Sequence, residues 1–302
     1  MTKIDRQAVP LWERVSKNAR MGSDRKRGLY VAARRLAAPR RAAVRTVAAR
    51  RGGGGAGFTI PTARGFVVHP PDHFPESREI VEVARQRFAE VDADTIRERG
   101  KPFMVPILDQ ASLTRESPLT RLALRDDVLR AVATYLRVAP ILSSIDVYYS
   151  RSVDRELMSS QLLHCDGDDT RQVKIFVLCT RVDPTTGPLM IMDADRSDAL
   201  RRTLGYEYRN RVTDEEAQAA MGDLDLTALE GEPGTTCLVD TSCCFHYGSR
   251  LEAQDEGRLV AMIQYLTPYS FMLPRDYRRA APYRHLITGA SGRLERLVLG
   301  AG

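Results

Sequence analysis

Apolar positions fall into two regimes along the chain. Between residues 76 and 136 they recur at helical spacing. Ile80, Val81, Val83, Ala84, Phe88 and Val91 share one side of a helix expected from residue 76 to about residue 99, with Ser77 as its N-cap. Leu119, Leu122, Leu124, Val128, Leu129, Val132 and Leu136 mark a second amphipathic helix over residues 118–136. Beyond residue 140 the pattern turns to short apolar runs broken by glycine, proline and polar turns. Strands are expected at 141–150, 159–165, 172–182, 187–192, 234–248 and 258–268. One or two more are expected between Phe58 and Phe74, closed by Pro70 and Pro71. Helices first and many short strands after them point to an all-β sandwich or barrel with flanking helices. Residues 197–230 read as an insertion with a short helix around Asp214–Met221, and residues 269–302 give no firm element.

Charge changes this picture at one end. The net charge is +6, but residues 1–51 hold 15 Lys or Arg against three acidic residues. The remainder holds 30 basic and 36 acidic residues, so a basic segment precedes a mildly acidic body that has no need of nucleic acid. Pro39 interrupts any long helix in that segment, and Gly52–Gly55 reads as a flexible linker. Residues 1–57 are therefore expected to be a basic, flexible arm, solvated or touching an anionic surface, and residues 58–302 one domain. An organelle-targeting presequence is a further reading of the Arg-rich start. No run of 18 apolar residues suggests a transmembrane segment, and no secretory signal pattern opens the chain, so a cytoplasmic protein is expected. Five cysteines without a C-x-x-C pair argue against a disulfide framework and a zinc ribbon.

The chemistry gathers around few residues. Of five histidines, His164 lies two residues before Asp166 in QLLHCDGDD. On an extended segment residues i and i+2 project to one face, so imidazole and carboxylate converge as two ligands of a metal must. Composition alone produces such a pair about 0.4 times in a chain like this, so by itself it indicates only a strand-end histidine bonded to a nearby acid. His246, in DTSCCFHYG, ends a strongly apolar run, and Arg258 opens the next strand 12 residues later. Two histidines and one carboxylate leave open faces on an octahedral Fe(II) for a bidentate oxo-acid and O₂. An arginine one strand over matches the far carboxylate of that acid as a planar fork. The alternative is a core histidine and a surface arginine.

The stretches SQLLHCDGDD, VKIFVLCTRVDPTTGPLMIM, GEPGTTCLVDTSCCFHYGSR and RLVAMIQYLTP, across roughly residues 145–268, resemble the phytanoyl-CoA dioxygenase-like family of Fe(II)/2-oxoglutarate-dependent oxygenases. The resemblance implies a double-stranded β-helix (cupin-like jelly roll). It also implies His164, Asp166 and His246 as iron ligands, Arg258 on the 2-oxoglutarate carboxylate, and O₂ as second cosubstrate. The activity implied is hydroxylation of a C–H bond of a small organic substrate, with release of succinate and CO₂. Because Asp166 occupies a ligand position, hydroxylation is favoured over halogenation. The stretch MDADRSD departs from the Gly-Ser-His that the family often carries there. A non-catalytic or differently metallated cupin-type binding protein is the alternative.

Strand alternation singles out two further positions, and a third pair stands close to His246. Lys174, between Val173 and Ile175, needs an anionic partner if it faces inward, and an oxo-acid carboxylate is one candidate. One of Tyr148 and Tyr149 should face the interior and could bond the cosubstrate, with Tyr148 the candidate. Asp240 and Thr241 are placed behind the metal ligands, orienting a turn or His246.

Overall fold

The computed structural model describes residues 11–52, 57–91, 104–151, 156–251, 257–274 and 281–301. Among the described residues, nine strands form two antiparallel sheets. They are β1 (Phe66–His69), β2 (Val105–Pro106), β3 (Ile141–Ser150), β4 (Gln172–Leu178), β5 (Leu189–Met192), β6 (Leu226–Leu229), β7 (Thr236–Val239), β8 (His246–Tyr247) and β9 (Arg258–Leu266). The larger sheet has the order β1-β7-β4-β9-β3-β2, the smaller β6-β5-β8. The strands of a sheet are thus mostly non-consecutive in the chain, as in the expected double-stranded β-helix.

The expected strands at 141–150 and 258–268 coincide with β3 and β9, and those at 172–182, 187–192 and 234–248 are present with different bounds. The run 234–248 is cut by a turn at residues 240–245, where the Asp240 carboxylate accepts from the backbone N–H groups of Ser242 and Cys243. A side chain that bonds its own backbone two residues on favours a turn over a ladder. Residues 159–165 are a 3₁₀ turn followed by isolated bridges rather than a strand. β6 lies in the part read as an insertion.

Helices flank the two sheets. They are α1 (Leu11–Arg20), α2 (Asp24–Leu36), α3 (Pro39–Gly52), α4 (Glu76–Glu90), α5 (Pro118–Leu124), α6 (Asp126–Leu136), α7 (Ala194–Leu204), α8 (Asp214–Met221) and α9 (Arg293–Val298). Ile80, Leu119, Leu122, Val128 and Val132 pack against Ile145, Val173, Ile175, Val177 and Ile263 from the sheet. Each such fully buried aliphatic side chain contributes about 1.5–3 kcal/mol relative to exposure. Alternation then turns Lys174, Phe176 and Leu178 of β4, and Arg258, Val260 and Met262 of β9, to the inner face.

Three local expectations change. The helix over 118–136 breaks at Arg125, whose ψ of 135° is extended, while its guanidinium binds Glu76 and Asp127. Ser77 is not the N-cap of α4, which is Pro75; its hydroxyl is buried against that of Thr236. The part of that helix expected beyond residue 91 lies outside the described residues.

The largest change concerns the basic segment, expected to be a flexible arm. Residues 11–52 are three helices packed on the body, with Pro39 opening α3. The reason lies in arginine's donors. Arg27 is fully buried and donates to the carbonyls of Gly167 and Asp169. Arg34 donates to those of Ser270, Leu273 and Pro274, and buried Arg45 to those of Ala139, Pro140 and Leu297. The rule that arginine stays in water lapses where several carbonyls satisfy its fork. The linker expected after Gly52 lies outside the described residues.

Candidate metal and oxo-acid site

His164 and His246 are 82 positions apart in sequence but face each other across one antiparallel bridge. Each backbone N–H donates to the other's carbonyl, at 3.1 and 3.0 Å. A directly opposed antiparallel pair projects both side chains to one face, and the ring centroids lie 4.3 Å apart. The Asp166 backbone N–H donates to the carbonyl of Thr241 at 2.8 Å, which holds the carboxylate beside the two rings. Its oxygens lie 3.7 Å from His164 Nε2 and 3.9 Å from His246 Nε2. One ligand atom from each of the three falls within 4.8 Å of the others. Ligands at right angles, about 2.0–2.2 Å from one ion, sit roughly 3 Å apart, so closing this triangle needs shifts of about an ångström or less.

The donor chemistry fits a divalent metal. Both Nδ1 atoms lie against backbone carbonyls, His164 on Leu162 at 2.8 Å and His246 on Cys244 at 3.0 Å. With Nδ1–H donating there, each Nε2 presents its lone pair to the shared point. Burial drives His164 down to about 3 and also lowers His246, so both rings are neutral. Burial opposes ionisation of Asp166, but the adjacent Lys174 ammonium outweighs it and holds the carboxyl well below its usual range.

Lys174 does face inward. Its ammonium donates to Asp166 Oδ2 at 2.7 Å, so the anion its position requires is supplied by the protein. Gln172 Nε2 reaches the same oxygen at 3.1 Å and Thr241 Oγ1 at 2.7 Å. Gln264 then links Gln172 to Asp168. Asp166 Oδ1, turned to His164, is left for an ion. Asp240 is fully buried and braces the turn before His246, with Tyr135 and Arg171 also donating to its carboxylate.

These groups line a cavity of about 320 Å³. Tyr148 lines it, whereas Tyr149 packs on Phe88 outside, with ring centroids 4.5 Å apart. Arg258 lies opposite Ser150 in the sheet and is only 7% exposed. It donates to the Gly187 carbonyl and, at 3.0 Å, to Ser249 Oγ, while its buried Nε has no partner. No carboxylate lies within ion-pair distance among the described residues, and burial lowers it to about 10. Gly187 shapes this contact. Its φ is +66°, and a Cβ there would come within 2.9 Å of the Arg250 backbone. Arg250, four residues after His246, is held away from the cavity by two hydrogen bonds to Asp214, at 2.6 and 2.9 Å.

Sequence reasoning missed Gln172, Arg20, Arg27 and Arg211. The alternation that turns Lys174 inward also turns Gln172 inward and would have found it. The three arginines carry no local signal, since long-range packing brings them to the cavity or to the loop behind it.

No protein-family profile matches the chain, and no curated protein matches it. Among solved structures it is similar to EctD from S. alaskensis in its apo form, at 19% identity, covering 68% of this chain and 74% of that one, TM-score 0.47. It is similar to the epimerase SnoN in complex with Fe³⁺, alpha ketoglutarate and nogalamycin RO, at 14% identity, covering 82% and 92%, TM-score 0.48. A third is HygX from Streptomyces hygroscopicus with nickel, 2-oxoglutarate and hygromycin B bound, at 16% identity, covering 68% and 84%, TM-score 0.41. The fold is read from strand order and the site from its own distances; similarity at this level adds to neither.

Proposed function

We propose that the protein is a non-haem Fe(II)/2-oxoglutarate-dependent dioxygenase that hydroxylates a C–H bond of a small organic substrate, in the phytanoyl-CoA dioxygenase-like branch. The observation that carries this is the convergence of His164, Asp166 and His246 within 4.8 Å on the wall of a cavity that also holds the buried, carboxylate-free Arg258. Bound iron with 2-oxoglutarate and O₂ supplies the oxidising equivalent, with succinate and CO₂ as co-products. The protein supplies the rest. His164, Asp166 and His246 hold the metal on one side and leave its other positions to ligands. Lys174 and Gln172 fix Asp166 through Oδ2. Arg258 receives the far carboxylate of the oxo-acid, with the Tyr148 hydroxyl as a further donor on the wall. Burial pushes Tyr148 up to about 12, so it remains a donor at neutral pH. Phe176, Leu178 and Val260 exclude water around the reacting centre.

The test is succinate formation from 2-oxoglutarate with Fe(II) and ascorbate, screened over small organic substrates. No stimulation by any substrate, with metal still bound, would favour a binding protein of the same fold. No described helix is long and apolar enough to cross a membrane. We place the protein in the cytoplasm, with exposed Leu29 and Leu36 among the arginines of α2 as the part suited to an anionic surface.

A further inference from the structure

The cavity holds more positive charge than metal and oxo-acid use. Four cations line it among the described residues, Arg20, Lys174, Arg211 and Arg258, against two carboxylates, Asp166 and Asp168. Two of the cations are internally matched, Lys174 to Asp166 and Arg20 to Asp168, each at 2.7 Å. A histidine that ligates a metal does so as the neutral imidazole, so neither ring adds charge. A divalent metal and a doubly charged oxo-acid cancel each other, so the loaded cavity keeps the excess of two. Arg258 serves the oxo-acid. Arg211 is left over: it donates to the carbonyls of Ser159 and Asn210, and no described carboxylate lies within ion-pair distance of it.

Its place in the fold makes it a substrate group rather than a surface charge. Leu163 and Val212 exchange backbone hydrogen bonds at 3.1 and 2.9 Å in an antiparallel bridge. Continuing that register by one residue sets Arg211 beside His164, on the side opposite His246. Arg211, His164 and His246 thus stand in one row across three backbone segments, and all three line the cavity. A half-buried guanidinium beside a metal site attracts anions and fixes a planar one through paired donors. Phe176, Leu189, Val260 and Met262 give the remaining wall an apolar surface.

We infer that the substrate has an apolar body ending in an anionic group, a carboxylate or phosphate, and that Arg211 holds this group beside His164. This rests on the oxygenase reading. The test uses the full chain under anaerobic conditions with Fe(II) and saturating 2-oxoglutarate, which occupies Arg258. Hexanoate, hexyl phosphate and the uncharged hexanamide are titrated calorimetrically. At least one anion should bind roughly tenfold or more tighter than the amide, as expected for a hydrogen bond to a charged group. Arg211→Gln should erase that preference, with a loss for the anion at least tenfold beyond any change in 2-oxoglutarate affinity, and Arg211→Lys should restore most of it. The 2-oxoglutarate titration of each variant shows that it has folded. No preference for either anion in the wild type, or a preference that survives in Arg211→Gln, overturns the inference while leaving the oxygenase reading standing. Failure of the wild type to bind 2-oxoglutarate overturns that reading, and the inference with it.

Discussion

Arg258 is the residue whose replacement tests the site most sharply, because its burial and its missing counter-ion make opposite demands on the empty and the loaded protein. In the structure the guanidinium is 7% exposed, keeps two neutral partners and leaves Nε without one. Two neutral acceptors are each worth about 1 kcal/mol net, whereas an unpaired buried cation costs several. Arg258→Met should therefore leave the ligand-free protein as stable as wild type, or more stable by about 1–3 kcal/mol. With 2-oxoglutarate the balance reverses. On the proposed assignment the far carboxylate of the oxo-acid would be buried in the same place and would lose its charge-matched donor, a loss of about 2–4 kcal/mol. That corresponds to a dissociation constant raised roughly 30- to 700-fold. The assay is calorimetric titration of 2-oxoglutarate into the anaerobic Mn(II)-loaded protein, paired with thermal unfolding with and without the oxo-acid. The wild type should be stabilised by 2-oxoglutarate and the variant should not. Metal affinity should be retained, because Arg258 is not a ligand. An unchanged oxo-acid affinity in Arg258→Met, or a larger loss in Arg250→Ala, refutes the assignment, since Arg250 is committed to Asp214.

Further outcomes follow from the same geometry. His246→Ala or Asp166→Ala should weaken Mn(II) binding at least 100-fold while circular dichroism stays native, because each removes one of three ligands; retention of tight binding in either would show that the metal sits elsewhere. Manganese affinity should fall less between pH 8 and pH 6 than two ordinary histidines would make it fall: burial lowers His164 to about 3 and lowers His246 as well, so protons compete less for both rings. A steep fall over that range would show protonated rings in the free protein. Arg27→Met should lower stability by about 2–4 kcal/mol and loosen metal binding, because the carbonyls of Gly167 and Asp169 lose a buried donor next to Asp166. Deleting residues 1–55 should likewise impair folding; a truncated protein that melts at the wild-type temperature would show these helices to be dispensable.

Residues close together in sequence carried most of what sequence alone determined. His164 and Asp166 stand two apart on an extended segment, and Arg258 begins a strand whose alternation puts Val260, Met262 and Gln264 on its own face. The period of two in β3 put one of Tyr148 and Tyr149 inside by the same rule, but left open which one, and whether Lys174 of β4 faced in or out. Each of these needs only the local geometry of a strand, which a few neighbouring residues dictate.

The tertiary structure decided the rest. It paired His164 with His246 through a bridge 82 positions long, gave Asp166 rather than a cosubstrate to Lys174, and brought Arg211 to the wall that holds both histidines. It also folded an arginine-rich segment onto the body where charge alone suggested solvent. An arginine's charge and an apolar period are visible in a few residues, but whether a backbone carbonyl or a carboxylate waits at the end of its side chain is not. That depends on which distant strand or loop arrives there, and burial makes the answer decisive, because an unmet charge is tolerable in water and costly inside the protein.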